Sequence, residues 1–181
     1  ILYNIIFKLF KIYLIHMKNI YLDTIKSVKK ITKKLYLTEK LNFNHTFEIT
    51  SLLLFCIFFG SKTSLEFNKN DIKNNQILMD FFIRDIDHSL RLSGIGDMSI
   101  GKYVKTYVKK FYFRVSELEK FFSKKEGINY NKFNEYLIKY NIIFNNSELN
   151  YNDDFINDLQ SLIKRSQNLK INQNLYKDLF N

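Results

Sequence analysis

The stretch FFIRDIDHSLRLSGIGDMSIGKYVKTYVKKFYFRVSELEKFF, from Phe81 to Phe122, decides the fold of this chain. It holds three of the five glycines. It divides into a helix, a glycine turn and a longer helix. The first helix is expected from Gln76 to Leu92. Ile77, Leu78, Phe81 and Phe82 open its apolar face, and Ile83, Ile86 and Leu90 extend it. Asp87 and Arg91, four apart, put opposite charges on neighbouring turns. Gly94 is placed to end the helix, because a left-handed residue after the last turn carries no Cβ penalty when it is glycine. Asp97 or Ser99 then offers a side-chain oxygen to the free N–H groups of the next helix.

That next helix is the most regular in the chain. Ile100, Val104, Tyr107, Phe111, Val115, Leu118 and Phe122 recur at steps of three and four, so they fall on one stripe. Lys102, Lys105 and Lys109 occupy the opposite stripe, with Thr106 and Ser116 near them. Such a row reads either as the solvated face of a core helix or as a docking surface for something acidic: lipid headgroups, RNA or an acidic protein patch.

Two motifs in the turn lead nowhere. Gly96 to Lys102 matches GxxxxGK, but a phosphate-binding loop needs Ser or Thr next, where this chain has Tyr103. It also needs a buried strand before it, where this chain has a helix. A helix-turn-helix DNA reader is equally poorly served. The lysines are spread along the whole second helix, with no Arg, Asn or Gln near its start to read base edges.

The same residues carry a resemblance. Asp85-x-Asp87, Leu90-Arg91-x-x-Gly94-Ile95-Gly96-Asp97, Ile100-Gly101-Lys102-x-Val104-Lys105 and Phe111-Tyr112-x-Arg114 are similar, in order and spacing, to the signature of the ubiquinol–cytochrome c chaperone family. That signature is close to DxDxxLREMGVGDxxVGKxVKxxxxxFYGR. Two positions depart from it: Leu92 stands where an acidic residue is usual, and Phe113 where a glycine is usual. The resemblance implies a helical, non-enzymatic assembly factor for respiratory complex III. Its partners would be newly made cytochrome b or other complex III assembly components, with a possible second assembly factor. Its place would be peripheral on the inner membrane, at the cytoplasmic face in a bacterium or the matrix face in a mitochondrion. It implies no cofactor. The client or partner surface would then include Asp85, Asp87, Arg91, Gly94, Gly96, Asp97, Gly101, Lys102, Val104, Lys105, Tyr112 and Arg114.

Beyond this stretch, the 181 residues suffice for one domain with a sizeable core. Proline is absent, which leaves helices few enforced breaks. Phe and Tyr supply 17% of the chain, enough to fill a core or cover another apolar chain. The formal net charge of +10 is uneven: +6 in residues 1–60, +5 in 61–140 and −1 in 141–181. This balance favours an anionic membrane or nucleic acid as partner. A basic helical nucleic-acid or ribosome-binding module is therefore the alternative reading. Cys56 is the lone cysteine, sits in an apolar run and reads as a buried inert thiol.

In chain order, residues 1–16 are almost wholly apolar apart from a narrow stripe of Asn4, Lys8 and Lys11. They suit a helix lying in a membrane interface, or an extension ahead of a start at Met17. Residues 17–181 form the helical domain. Residues 18–41 predict a basic amphipathic helix. Its apolar face is Ile20, Ile25 (or Thr24), Val28, Ile31 and Leu35, and Lys26, Lys29, Lys30, Lys33 and Lys34 lie opposite. This helix would suit an anionic membrane or a ribosome-like surface. Leu41–Glu48 reads as a loop, and Phe47–Phe59 as a buried core helix. Gly60–Asn75 reads as a loop, and Ser123–Asn129 as a charged connector with Gly127. Asn131–Phe144 predicts a helix through Phe133, Leu137 and Tyr140, and Asn145–Asn152 a turn. A last helix opens at Asp153 and Asp154, through Phe155, Leu159, Leu162 and Ile163. A short docking segment could follow at Leu175, Leu179 and Phe180.

Catalytic chemistry is missing from the pattern. His16, His45 and His88 are far apart, without ligands at helical metal-site spacing. Asp85 and Asp87 point away from each other on a helix and make a poor acid/base pair. The expectation is an all-α protein of roughly six helices in a single domain, without enzymatic activity.

Overall fold

The computed structural model describes residues 2–35, 42–61, 69–123, 127–142, 155 and 157–162. Five helices carry the fold: α1 (Leu2–Leu35), α2 (Phe43–Ser61), α3 (Lys69–Leu92), α4 (Asp97–Leu118) and α5 (Tyr130–Lys139). A sixth helical segment occupies 157–162. Between α4 and α5, β1 (Phe122–Ser123) pairs antiparallel with β2 (Gly127–Ile128), Phe122 opposite Ile128. The charged connector expected from Ser123 to Asn129 is thus part of a minimal hairpin. Its lysines and glutamate, Lys124 to Glu126, lie outside the described residues, as do the Asn145–Asn152 turn and the segment from Asn168.

α2 is the axis of the molecule. Phe47, Ile49 through Ile57 and Gly60 are all buried, so this helix is apolar on every side. Its length and composition would allow it to cross a membrane, yet the surrounding helices bury most of it. Two clusters meet on it. One joins Phe47, Leu54 and Ile57 to Met17 and Tyr21 of α1, to Leu78, Phe82, Ile86 and Leu90 of α3, and to Ile100 and Phe111 of α4. The other joins Ile49, Leu52, Leu53, Phe55 and Cys56 to Val28 and Ile31, to Leu118, Phe122, Phe133 and Leu137, and to Phe155 and Leu159. Each fully buried Leu, Ile or Phe contributes roughly 1.5–3 kcal/mol, so α2 supplies the largest share of core stabilisation.

α1 runs unbroken through Met17. Among its described side chains Met17, Tyr21, Thr24, Val28 and Ile31 are buried, at alternating steps of four and three. Of the expected apolar face, Ile20 and Ile25 are only half-buried, and Thr24 goes inward with its hydroxyl donating to the Ile20 carbonyl at 2.9 Å. Lys26, Lys29 and Lys30 are exposed as expected, while the side chains of Lys33, Lys34 and Leu35 lie outside the described residues.

Several boundaries differ from the sequence expectation, among them the end of α4, which stops at Leu118 and leaves Phe122, expected on its stripe, in β1. α2 begins at Phe43, inside the expected loop, because the Asn42 side chain accepts from the His45 N–H at 3.0 Å and caps the helix. α3 begins at Lys69 rather than Gln76. Its polar first turns are tied down by tertiary hydrogen bonds, Tyr13 donating to Asn74 and Ser61 to Asn75. α5 starts at Tyr130 with Asn129 as cap, and stops at Lys139, because Asn141 takes a left-handed φ of 52°.

Candidate functional site

The α3–α4 hairpin is shaped by its turn. Gly94 has φ +87°. Its N–H bonds to the Arg91 carbonyl at 2.9 Å, and the Ile95 N–H bonds to the Leu90 carbonyl at 3.2 Å. This pair of bonds is the Schellman arrangement, completed by apolar packing of Leu90 and Ile95 in one cluster. Asn141 repeats it, with Ile142 N–H bonding to Leu137 at 2.8 Å. The expected cap of α4 is not found. Gly96 occupies the cap position without a side-chain bond. Asp97 instead pairs with Arg91, and the Ser99 hydroxyl donates to the Gly96 carbonyl at 3.1 Å. Arg91 also holds Asp87 at 2.7 Å. One guanidinium therefore links the end of α3 to the start of α4.

The signature residues divide into two groups. The first group is turned to other parts of the chain. Asp85 accepts a hydrogen bond from the Tyr21 hydroxyl at 2.9 Å and so ties α3 to α1. Asp87, Arg91 and Asp97 brace the turn. Val104 is half-buried against the core. Arg114 reaches across to α2, where its Nε and an Nη each donate to Glu48 at 2.8 Å, with both side chains only 12% exposed. The Tyr140 ring lies 3.5 Å from the guanidinium carbon. Burial works against the Arg114 charge, but Glu48, with Tyr140 and Tyr136 beside it, outweighs burial and holds its pKa above the ordinary value. Burial also pushes the Glu117 carboxyl up, yet hydrogen bonds from Lys139 and Tyr140, with the charges of Lys139 and Arg114, outweigh it and leave the group below the usual carboxylate range.

The second group faces outward. Gly94, Gly96, Gly101, Lys102, Lys105 and Tyr112 are all exposed. Around them stand apolar side chains at the surface: Met98 fully, Leu92 by 75%, and Tyr103, Tyr112 and Phe113 by about half. Met98, Lys102, Lys105, Lys109 and Tyr112 follow one another at steps of four and three on a single ridge. Among the described residues no carboxylate reaches Lys102, Lys105 or Lys109. Lys110, by contrast, lies 4.6 Å from the centre of the Tyr107 ring.

Gly101 has no internal reason to be glycine. A Cβ there, as at Gly96, would meet nothing within 4 Å, and its φ lies outside the left-handed region. Inside a helix, glycine costs about 1 kcal/mol relative to alanine. The fold carries that cost without using the space.

The sequence pattern does not identify Glu48 or Tyr21 as partners of Arg114 and Asp85. Glu48 does leave a trace, being the one carboxylate of α2, since a lone charge in an apolar helix needs a cation. The exposure of Met98 and Tyr103 leaves none. Among the described residues no group of three or more His, Cys, Asp or Glu is placed to hold a metal ion. Cys56 is fully buried, and that burial pushes its thiol pKa far up, as the apolar run predicts.

Comparison with curated proteins and with solved structures gives no match. Residues 39–137, more than half of the chain, match the family model described as Ubiquinol-cytochrome C chaperone. The matched span contains α2, α3, α4 and the hairpin turn, and ends within α5.

Proposed function

This chain belongs to the ubiquinol–cytochrome c chaperone family, and from that premise we propose that it is a non-enzymatic assembly chaperone for respiratory complex III whose client is newly made cytochrome b. The observation that carries the reading is the family match, which takes in the whole α3–α4 hairpin. The arrangement of that hairpin supports it. Its fold-bearing charges are already satisfied by one another, while its glycines, Lys102, Lys105 and Tyr112 remain available to a client or partner.

Membrane association is part of the same proposal. Ile12, Ile15 and Leu22 of α1 are exposed by 41–50%, and Lys11, Lys18, Lys26, Lys29 and Lys30 on the same helix are exposed as well. Apolar side chains flanked by lysines suit an interface rich in anionic lipid. The chain would sit peripherally on the inner membrane, where cytochrome b is inserted, with room for a second assembly factor.

The test is an absorbance spectrum of membranes from cells lacking the protein, with cytochrome oxidase as control. Selective loss of the b-type haem signal is the expected result. An unchanged b signal overturns the proposal. The ribosome- or RNA-binding alternative is separated by salt: nucleic-acid binding weakens steeply as salt rises, whereas a client held through buried apolar area stays bound.

A further inference from the structure

We propose that the outward ridge of α4 is the seat of one kind of partner element: an amphipathic helix that carries carboxylates at steps of three and four, and that packs against α4 at Gly101. This deepens the chaperone reading and rests on it for the process served, but not for the chemistry of the contact.

Charge complementarity is the first argument. Lys102, Lys105 and Lys109 form one cationic line, exposed and without a carboxylate partner among the described residues. Arg91 and Arg114, by contrast, are paired with carboxylates of the same chain. A line of charges at helical spacing is matched best by opposite charges at the same spacing on a second helix. The ends of the line are apolar. Met98 stands at one end and Tyr112, beside Phe113, at the other, all well exposed. From Met98 to Tyr112 the ridge is roughly 21 Å long, which a partner helix of about four turns would cover.

The bare surface at Gly101 is the second argument. Gly101 lies one turn before Lys105, on the edge of the ridge, with open space where a Cβ would stand. Helices approach closely where a side chain is missing. A lipid headgroup layer is fluid, imposes no periodicity and has no use for a missing Cβ. A phosphate backbone would be served by the lysines alone. The combination of spaced charge, bare backbone and apolar ends therefore selects a helix of a protein partner. The lipid-facing composition of this molecule is on α1.

The test uses the full chain and a stapled helical peptide of four to five turns, with glutamates at alternating steps of three and four, alanines between them and leucine at each end. Binding is read by fluorescence anisotropy. The wild-type chain is expected to bind. K102E/K105E is expected to lose about ten-fold or more in affinity, and a peptide with lysines in place of the glutamates should recover it. Gly101→Leu is expected to lose binding while its thermal midpoint is unchanged or raised, which separates docking from folding. If Gly101→Leu binds like the wild type, or K102E/K105E is indifferent to the sign of the peptide, the proposal is overturned. It is also overturned if the peptide fails to bind while phosphatidylglycerol vesicles or a mixed-sequence RNA do, with loss in K102E/K105E. The two levels separate in cells lacking the native protein. Normal b-haem with either variant removes this face from complex III assembly and leaves the family function standing. Normal b-haem without any protein removes the function itself.

Discussion

The two halves of α4 use the same residue types for opposite ends. In the C-terminal half, Arg114 and Glu117 sit 12% and 15% exposed, engaged with Glu48 of α2 and with Lys139 and Tyr140 of α5 and its cap. Nearer the start of the helix, Lys102, Lys105 and Lys109 stand in water with no carboxylate reaching them among the described residues. A cation on this helix therefore has no fixed meaning. Its meaning is set by whether another element of the same chain arrives opposite it. Where α2 and α5 arrive, charge holds helices together. Where nothing arrives, the charge is available to another molecule.

The sharpest way to break this contrast is at the inner end. Arg114→Ala leaves the largely covered Glu48 carboxylate in an apolar helix without its cation, and should cost about 3 kcal/mol. Urea unfolding midpoints would measure it. Arg114→Met combined with Glu48→Leu removes both charges and should recover most of that loss, since a buried pair replaced by apolar groups of similar volume is near neutral. If the double variant is as unstable as the single one, the pair does more than satisfy itself, and the contrast between the two halves weakens.

A smaller effect is expected at the turn that separates the inward from the outward residues. Gly94→Ala meets no steric obstacle, so its cost is the left-handed backbone alone, about 1–2 kcal/mol. Smaller again is a pH effect at Glu117. Its folded pKa lies below the unfolded carboxylate value, so its contribution to stability is complete above about pH 4.3 and disappears as pH falls through the folded value. Glu117→Gln should therefore flatten part of the acid limb of a stability–pH profile and leave its slope near neutrality unchanged. An acid limb identical to that of the wild type would show that Glu117 gains nothing from Lys139 and Tyr140.

These differences bear on what a sequence reveals. The periodic apolar stripe of α4 and the glycine stop of α3 are local, and both are visible as patterns. Ile100, Phe111 and Leu118 are buried as the stripe requires, and Gly94 has the positive φ that its position demands. The start of α3 is not visible in this way. Residues 69–76 have no apolar repeat, and their Ile72 is 57% exposed. What ties them to the rest of the fold is tertiary: Tyr13 and Ser61, distant in sequence, donate hydrogen bonds to Asn74 and Asn75. The partition of the signature residues is hidden for the same reason. Arg114 and Lys105 look alike in the sequence, and only the arrival of Glu48, 66 residues away, separates them.

Substitutions that cost the fold nothing have the most to say about the outer half. Gly101→Ala should raise stability by up to about 1 kcal/mol, because it removes the helix cost of glycine and its Cβ meets nothing. Lys105→Gln should leave stability within about 0.5 kcal/mol. Thermal midpoints would detect both. For a residue that serves only the fold, gaining stability and keeping function go together. At Gly101 they should part: the variant is expected to melt higher and to support less b-type haem in membranes. If it melts higher and supports full complex III, the glycine is no more than an unoptimised surface position. If it melts lower, the space beside Gly101 is used by the chain itself, and the outer half of α4 belongs to the fold as the inner half does.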